Sequence, residues 1–144
     1  MTYIEAEEAS NQRAYEIVTD PDASQGRCLL LRGPSGKNPA EYRFSVPKTG
    51  KYFLLLRVKS DEPTSYHDSL YFGIDDGVFD RAQLRTAASW GWSLAAHNSK
   101  MSLICLQAFE LAAGDHIVKL APREPVHVDL VAVTDNPGLF DCDR

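Results

Sequence analysis

Short runs of Val, Ile, Leu, Tyr and Phe, each cut off by a turn signal, recur along almost the whole chain. Such runs are what half-buried strands require. They predict strands near Tyr3–Glu7, Cys28–Arg32, Glu41–Val46, Lys51–Lys59, Ser69–Ile74, Ser102–Leu111, His116–Ala121 and Val126–Val133. Between them stand Asp20-Pro21-Asp22, Gly33-Pro34-Ser35-Gly36, Pro47-Lys48-Thr49-Gly50, Asp75-Asp76-Gly77 and Ala113-Gly114-Asp115, which supply the backbone conformations of tight turns. Val46 to Lys51 reads as a hairpin joining two long strands. Asp80 to Ser89 has some helical character but no sustained apolar stripe. No strand–helix–strand alternation appears, so the expected class is all-β, an antiparallel β-sandwich of jelly-roll type.

The chain of 144 residues is long enough for one domain with its own core. We place that domain at 1–137 and a C-terminal tail at 138–144. A net charge of −5 leaves no surplus of Lys or Arg to displace counterions, so nucleic acid is not an expected partner. Arg81, Arg85 and Lys100 are scattered rather than clustered. The longest apolar stretch, Tyr52 to Leu56, is too short to span a bilayer, and no membrane partner is expected. Met1 is followed by Thr2, Tyr3 and Ile4 and then by acids, which is not a signal peptide. Either the protein is intracellular or the segment belongs to a longer secreted one.

Residues that could carry catalysis are sparse. No Gly-x-Ser-x-Gly elbow and no Gly-rich phosphate loop occurs. Cys28 and Cys105 lie in apolar runs, where a thiol behaves as a small hydrophobe, and Cys142 lies in the acidic tail. His67, His97, His116 and His127 lack metal-ligand spacing. A glycosidase needs two carboxyls facing each other across a cleft. Asp75-Asp76-Gly77 is better explained as a turn. An enzyme drawing on Asp68, Asp75 or Glu124 is the alternative.

Glu5, Glu7 and Asp129 are more telling. In a strand, Glu5 and Glu7 share one face and repel each other unless a cation or basic group lies between them. Asp129 is an acid inside the apolar strand Val126–Val133, and a buried carboxylate needs a partner. If the terminal strands pair, the three acids converge on a hard cation, which takes several oxygens. The competing reading leaves Glu5 and Glu7 solvated on an edge strand and pairs Asp129 with an Arg.

Four segments carry a resemblance. They are Tyr3-Ile4-Glu5-Ala6-Glu7-Glu8-Ala9, Val46 to Val58, Leu111 to Leu120, and Val128-Asp129-Leu130-Val131-Ala132-Val133-Thr134. In this order, over nearly the whole chain, they resemble the carbohydrate-binding modules of families six and thirty-five. His67 to Asp75 and Trp90-Gly91-Trp92 resemble a subgroup found beside polysaccharide-degrading enzymes. The resemblance implies a β-jelly-roll and a structural calcium held by Glu5, Glu7 and Asp129 with backbone oxygens. It also implies noncatalytic binding of a polysaccharide or oligosaccharide, an attached catalytic domain, and an extracellular setting within a larger secreted protein.

In such modules sugar binds in loops at one end of the sandwich, and Trp92 and Asn136 match the places of contributing residues. The usual second aromatic after the Cys28–Arg32 strand is missing, and Tyr66 is expected to stand in from another loop. A pyranose offers an apolar C–H face to an indole and a hydroxyl edge to fixed polar groups. Trp92 is the expected platform. Trp90 either extends that surface or joins the core. His67, Asp68, Arg123 and Glu124 lie in flanking loops, where they can read hydroxyls or a uronate, or, for Arg123 and Glu124, form a surface ion pair. A third possibility is a structural or protein-binding sandwich without a sugar site.

Overall fold

The computed structural model describes residues 2–9, 15–60, 69–84, 86–95 and 108–135. Among these residues eleven strands follow one another: β1 Thr2–Glu5, β2 Tyr15–Thr19, β3 Arg27–Leu31, β4 Ala40–Val46, β5 Gly50–Lys59, β6 Ser69–Ile74, β7 Asp80–Gln83, β8 Gly91–Leu94, β9 Phe109–Leu111, β10 Gly114–Pro122 and β11 Val126–Thr134. Two short 3-10 turns, Ala6–Glu8 and Ser24–Gly26, complete the described elements, and none of these is an α-helix. All pairings are antiparallel. The larger sheet has seven strands in the order β2-β3-β11-β5-β8, with β1 also on β11 and β9 also on β5; the smaller has four, β4-β10-β6-β7.

Alternation builds the layer between the sheets. In β4, Ala40, Tyr42, Phe44 and Val46 point inward while Arg43 and Ser45 face solvent. From the larger sheet Leu54, Leu56 and Val58 of β5 and Val126, Val128, Val131 and Val133 of β11 meet them. The sandwich read from the sequence is therefore the fold observed.

Several local expectations change. Val46 to Lys51 is not a hairpin: β4 pairs with β10, whereas β5 pairs with β11, β8 and β9, so this turn carries the chain from one sheet to the other. The Tyr52 hydroxyl donates to the Lys48 carbonyl at 2.6 Å and closes it. A turn signal marks a reversal of direction but is silent on whether the flanking strands bond to each other. Within the Asp80–Ser89 stretch, whose helical character is weak, Asp80–Gln83 forms strand β7, because its backbone finds β6 as a partner from Ser69↔Gln83 to Phe72↔Asp80. Tyr15–Thr19 and Gly91–Leu94 are strands that the apolar runs do not announce. Of the Ser102–Leu111 strand, only residues 108–111 fall among the described residues, and Phe109–Leu111 of these is strand.

Candidate metal and ligand site

The first strand leaves the sheet at the acids. β1 follows β11 from Thr2↔Val133 to Glu5↔Leu130, and β3 then takes over the same edge from Leu29↔Val128 to Leu31↔Val126. Between the two lies Asp129, where the pairing of β11 with β5 slips one residue between Val128 and Leu130. Such a bulge re-aims one side chain and lets the inward set change parity, from Val126 and Val128 to Val131 and Val133. Beyond Glu5 the chain tightens into the 3-10 turn Ala6–Glu8. The buried Tyr42 of β4 pins that turn by donating its hydroxyl to the Ala6 carbonyl at 2.7 Å.

These devices bring Glu5, Glu7 and Asp129 together, with one carboxylate oxygen of each within 4.8 Å of the others. The parity argument from the sequence is corrected here, since Glu7 lies in a turn and not in β1; convergence comes from the turn and the bulge. Glu7 and Asp129 are buried, at 3% and 0% exposure. Both oxygens of Glu7 and Oε2 of Glu5 have no hydrogen-bond partner among the described residues. Burial, and then the neighbouring Glu5 carboxylate, push the Glu7 pKa up. Three buried or half-buried carboxylates, two of them (Glu5 and Glu7) with oxygens that have no hydrogen-bond partner among the described residues, form a hard-oxygen donor set that fits a cation such as calcium.

The pairing of Asp129 with an Arg also occurs. The Arg57 guanidinium forms a salt bridge with Asp129 Oδ2, and the Ser24 N–H donates to Oδ1 and Oδ2 at 2.9 and 3.1 Å. Ser24 Oγ donates to Glu5 Oε1 at 2.5 Å. The turn that delivers Ser24 needs left-handed backbone at Gln25 (φ 57°) and Gly26 (φ 72°).

The tryptophans lie beside this junction, on the outer face of the seven-stranded sheet. Trp92 of β8 stands opposite Arg57 of β5 and packs against Phe53, Leu55, Leu94 and Ala132. Its ring centroid is 5.9 Å from that of Tyr3, which is 58% exposed. Like Trp92, Trp90 in the segment just before β8 is half-buried. Arg57 Cζ and Lys59 Nζ lie over its ring, 5.4 and 5.1 Å from the centroid. Lys59 is in turn bridged to Asp20, whose pKa it holds down.

Arg123 and Glu124 form a surface pair at 3.2 Å. Ser69 Oγ joins them, donating to Glu124 Oε1 and accepting from Arg123 Nη1, each at 2.5 Å. Tyr66, His67, Asp68 and Asn136 lie outside the described residues. Asp75, at φ 53°, accepts from the Ile117 N–H at 2.8 Å and pairs with His116 Nδ1 at 2.5 Å. It lines a 290 Å³ depression with Asp76, Phe79 and Lys119, but both its oxygens are already engaged. Cys28 is fully buried, and burial pushes its thiol pKa up to about 11, so it is no nucleophile.

Sequence reasoning missed Arg57, Lys59, Asp20, Ser24 and Tyr3. Arg57 and Lys59 did leave a signal: two cations at alternate positions just after the apolar run Tyr52–Leu56 need an anion or an aromatic face where they are buried. Asp20 and Ser24 left none, since turn acids and serines are ordinary.

No protein-family model and no curated protein matches the chain. Solved structures do. A family 35 carbohydrate-binding module from Clostridium thermocellum superposes with a TM-score of 0.70 at 16% identity, covering 93% of this chain and 98% of that one. The Cellvibrio mixtus lichenase 5A module CBM6cm-2, in complex with cellotriose, gives 0.65 at 16% identity over 94% and 97%. The Podospora anserina GH26-CBM35 β-(1,4)-mannanase gives 0.70 at 15% identity, over 92% of this chain and 27% of that enzyme. The chain thus has the jelly-roll sandwich fold of family 35 and family 6 carbohydrate-binding modules.

Proposed function

We propose that this chain is a noncatalytic carbohydrate-binding module that takes a polysaccharide or oligosaccharide. In this reading a structural calcium at Glu5, Glu7 and Asp129 staples the first strand to the last. The observation that carries the binding claim is the Trp92–Tyr3 pair, an aromatic surface presented by a fold shared with sugar-binding modules. An indole with a tilted phenol beside it suits the C–H face of a pyranose. One structural neighbour is a module in complex with cellotriose, and another is part of a mannanase. By analogy the chain brings an attached glycan-degrading enzyme to its substrate, in an extracellular setting. None of the helices among the described residues is long and apolar enough to cross a membrane.

The calcium reading is supported by the donor set. Its ligands would be the three carboxylates with nearby backbone oxygens, and bound there the ion supplies charge neutralisation between β1 and β11. The catalytic alternative has less support: Asp75 is committed to His116 and Ile117, and Glu124 to Ser69 and Arg123.

Affinity electrophoresis across plant, algal and host polysaccharides tests the reading, using the wild type, Tyr3→Ala and Trp92→Ala. The wild type is expected to be retarded by at least one glycan, and Trp92→Ala to lose about tenfold or more in affinity, since truncating an aromatic that anchors an interface costs more than about 1 kcal/mol. Tyr3→Ala removes an exposed ring and gives a control that keeps the core intact. Retention unchanged in both variants contradicts the aromatic platform. Cleavage of any glycan by the purified chain favours the enzyme. No retention on any glycan, with a calcium-dependent melting temperature, leaves a structural sandwich.

A further inference from the structure

Arg57 touches both halves of the site. Its guanidinium is paired with Asp129, which belongs to the three-carboxylate cluster, and its Cζ stands 5.4 Å from the Trp90 centroid. Across the strand pair it faces Trp92. A weaker contact, 3.4 Å, runs to the Asp22 carbonyl. Lys59 covers the same ring but is anchored on Asp20, which is outside the cluster. Trp90 is therefore gripped by two cations, and only one of them shares its anion with the metal site.

We propose that Arg57 is a positioning residue that couples the cation site to the tryptophan strand: a divalent cation and the Arg57 guanidinium share Asp129, so loading of the three carboxylates resets Arg57 over Trp90 and beside Trp92. The inference rests on the calcium reading above and adds a regulation to it. Like charges drawn to one carboxylate repel each other in a partly desolvated place. Asp129 is fully buried and the Arg57 side chain is only 26% exposed, so solvent screens them little. A guanidinium displaced over an indole face changes the electrostatics of that face. Coupling of this kind is reciprocal, so whatever calcium does to the tryptophan surface, occupation of that surface does to calcium affinity.

The test uses the whole chain, stripped with a chelator and titrated with calcium alone. Three signals are read: the indole N–H resonances of Trp90 and Trp92, calcium affinity by calorimetry, and the melting temperature. Trp92→Phe assigns the two resonances, since the chain has only two tryptophans. In the wild type the Trp90 resonance is expected to move saturably with calcium. In Arg57→Met, which keeps an apolar stem against the sheet, the movement is expected to vanish while calcium binds about fivefold or more tighter, because the competing positive charge is gone. Arg57→Gln is a second neutral variant with the same expected outcome. A merely structural Arg57 would instead weaken calcium binding on removal. A Trp90 resonance that stays still while calcium raises the wild-type melting temperature overturns the coupling and leaves the calcium reading standing. Unchanged or weaker calcium affinity in the neutral variants also overturns it. If calcium neither binds nor alters melting, the calcium reading fails and the coupling fails with it.

Discussion

Each sheet carries an aspartate in an unusual backbone setting; both have internal partners, but their acidic surroundings differ. Asp75 sits at φ 53° at the end of β6; one oxygen takes the Ile117 N–H and the other His116, whose Nε2 in turn meets the Ala112 carbonyl at 2.7 Å. Every strong partner in that group is internal. Burial alone would raise the Asp75 pKa, but the His116 and Ile117 hydrogen bonds outweigh it and hold it down, while Asp75 raises that of His116. At the bulge of β11 the balance is reversed. Asp129 is satisfied by Arg57 and Ser24, yet Glu7 beside it brings two buried oxygens with no partner among the described residues, and its pKa is pushed up. An acid whose hydrogen bonds close internally needs nothing from outside. A cluster that leaves buried carboxylate oxygens without a partner among the described residues is a candidate site for a cation.

That contrast can be broken from its strong end first. Asp129→Ala leaves Arg57 half-buried without its anion and removes a member of the cluster; we expect a loss of about 3–5 kcal/mol in urea unfolding, as for other broken buried ion pairs. A loss no larger than that of an ordinary surface substitution would remove Asp129 from the centre of the junction. Tyr42→Phe deletes the hydroxyl that pins Ala6 and should cost about 1–2 kcal/mol. If the turn positions Glu7, calcium affinity should fall with it; a stability loss without any change in calcium affinity would separate the turn from the site.

His116→Gln should have the smallest effect, below about 1 kcal/mol, because the pair is on the surface. Its pH dependence is the informative part. His116 has a raised folded pKa, so its contribution is complete below the ordinary value of 6.5 and is lost as pH rises through the folded value. Asp75 has a lowered one, so its contribution is present above the ordinary 3.8 and is lost as pH falls through the folded value. The difference in melting temperature between wild type and His116→Gln is therefore widest at mildly acidic pH and closes on both sides. A difference that grows towards alkaline pH would contradict the pairing.

The sandwich was legible because its long strands β4, β5, β10 and β11 pack one or both faces, and apolar density follows burial. β2, β7 and β8 were not, since they lie at sheet edges and carry mixed side chains such as Asp80, Arg81 and Gln83 of β7. The Pro47–Gly50 turn was read as a hairpin because local chemistry specifies reversal and not pairing. The three acids were found through the wrong local geometry: strand parity joined Glu5 and Glu7, whereas a 3-10 turn and a bulge bring the set together. A bulge has no signature in a run such as Val126 to Val133, where every position is apolar enough to face either way apart from His127 and Asp129. Arg57 is visible in the sequence only as a charge inside a core strand, and its partners come from β11, from the segment before β8 and from the turn at Asp22.

The central claim is that Glu5, Glu7 and Asp129 hold one cation between the first and last strands. Calorimetric titration of the chelator-stripped chain with calcium addresses it directly, run beside Glu7→Gln, which keeps the shape of the side chain and removes its charge. The account predicts one calcium per wild-type chain and a binding signal that disappears in Glu7→Gln. Calcium bound equally well by the variant, or no binding by the wild type, would contradict it.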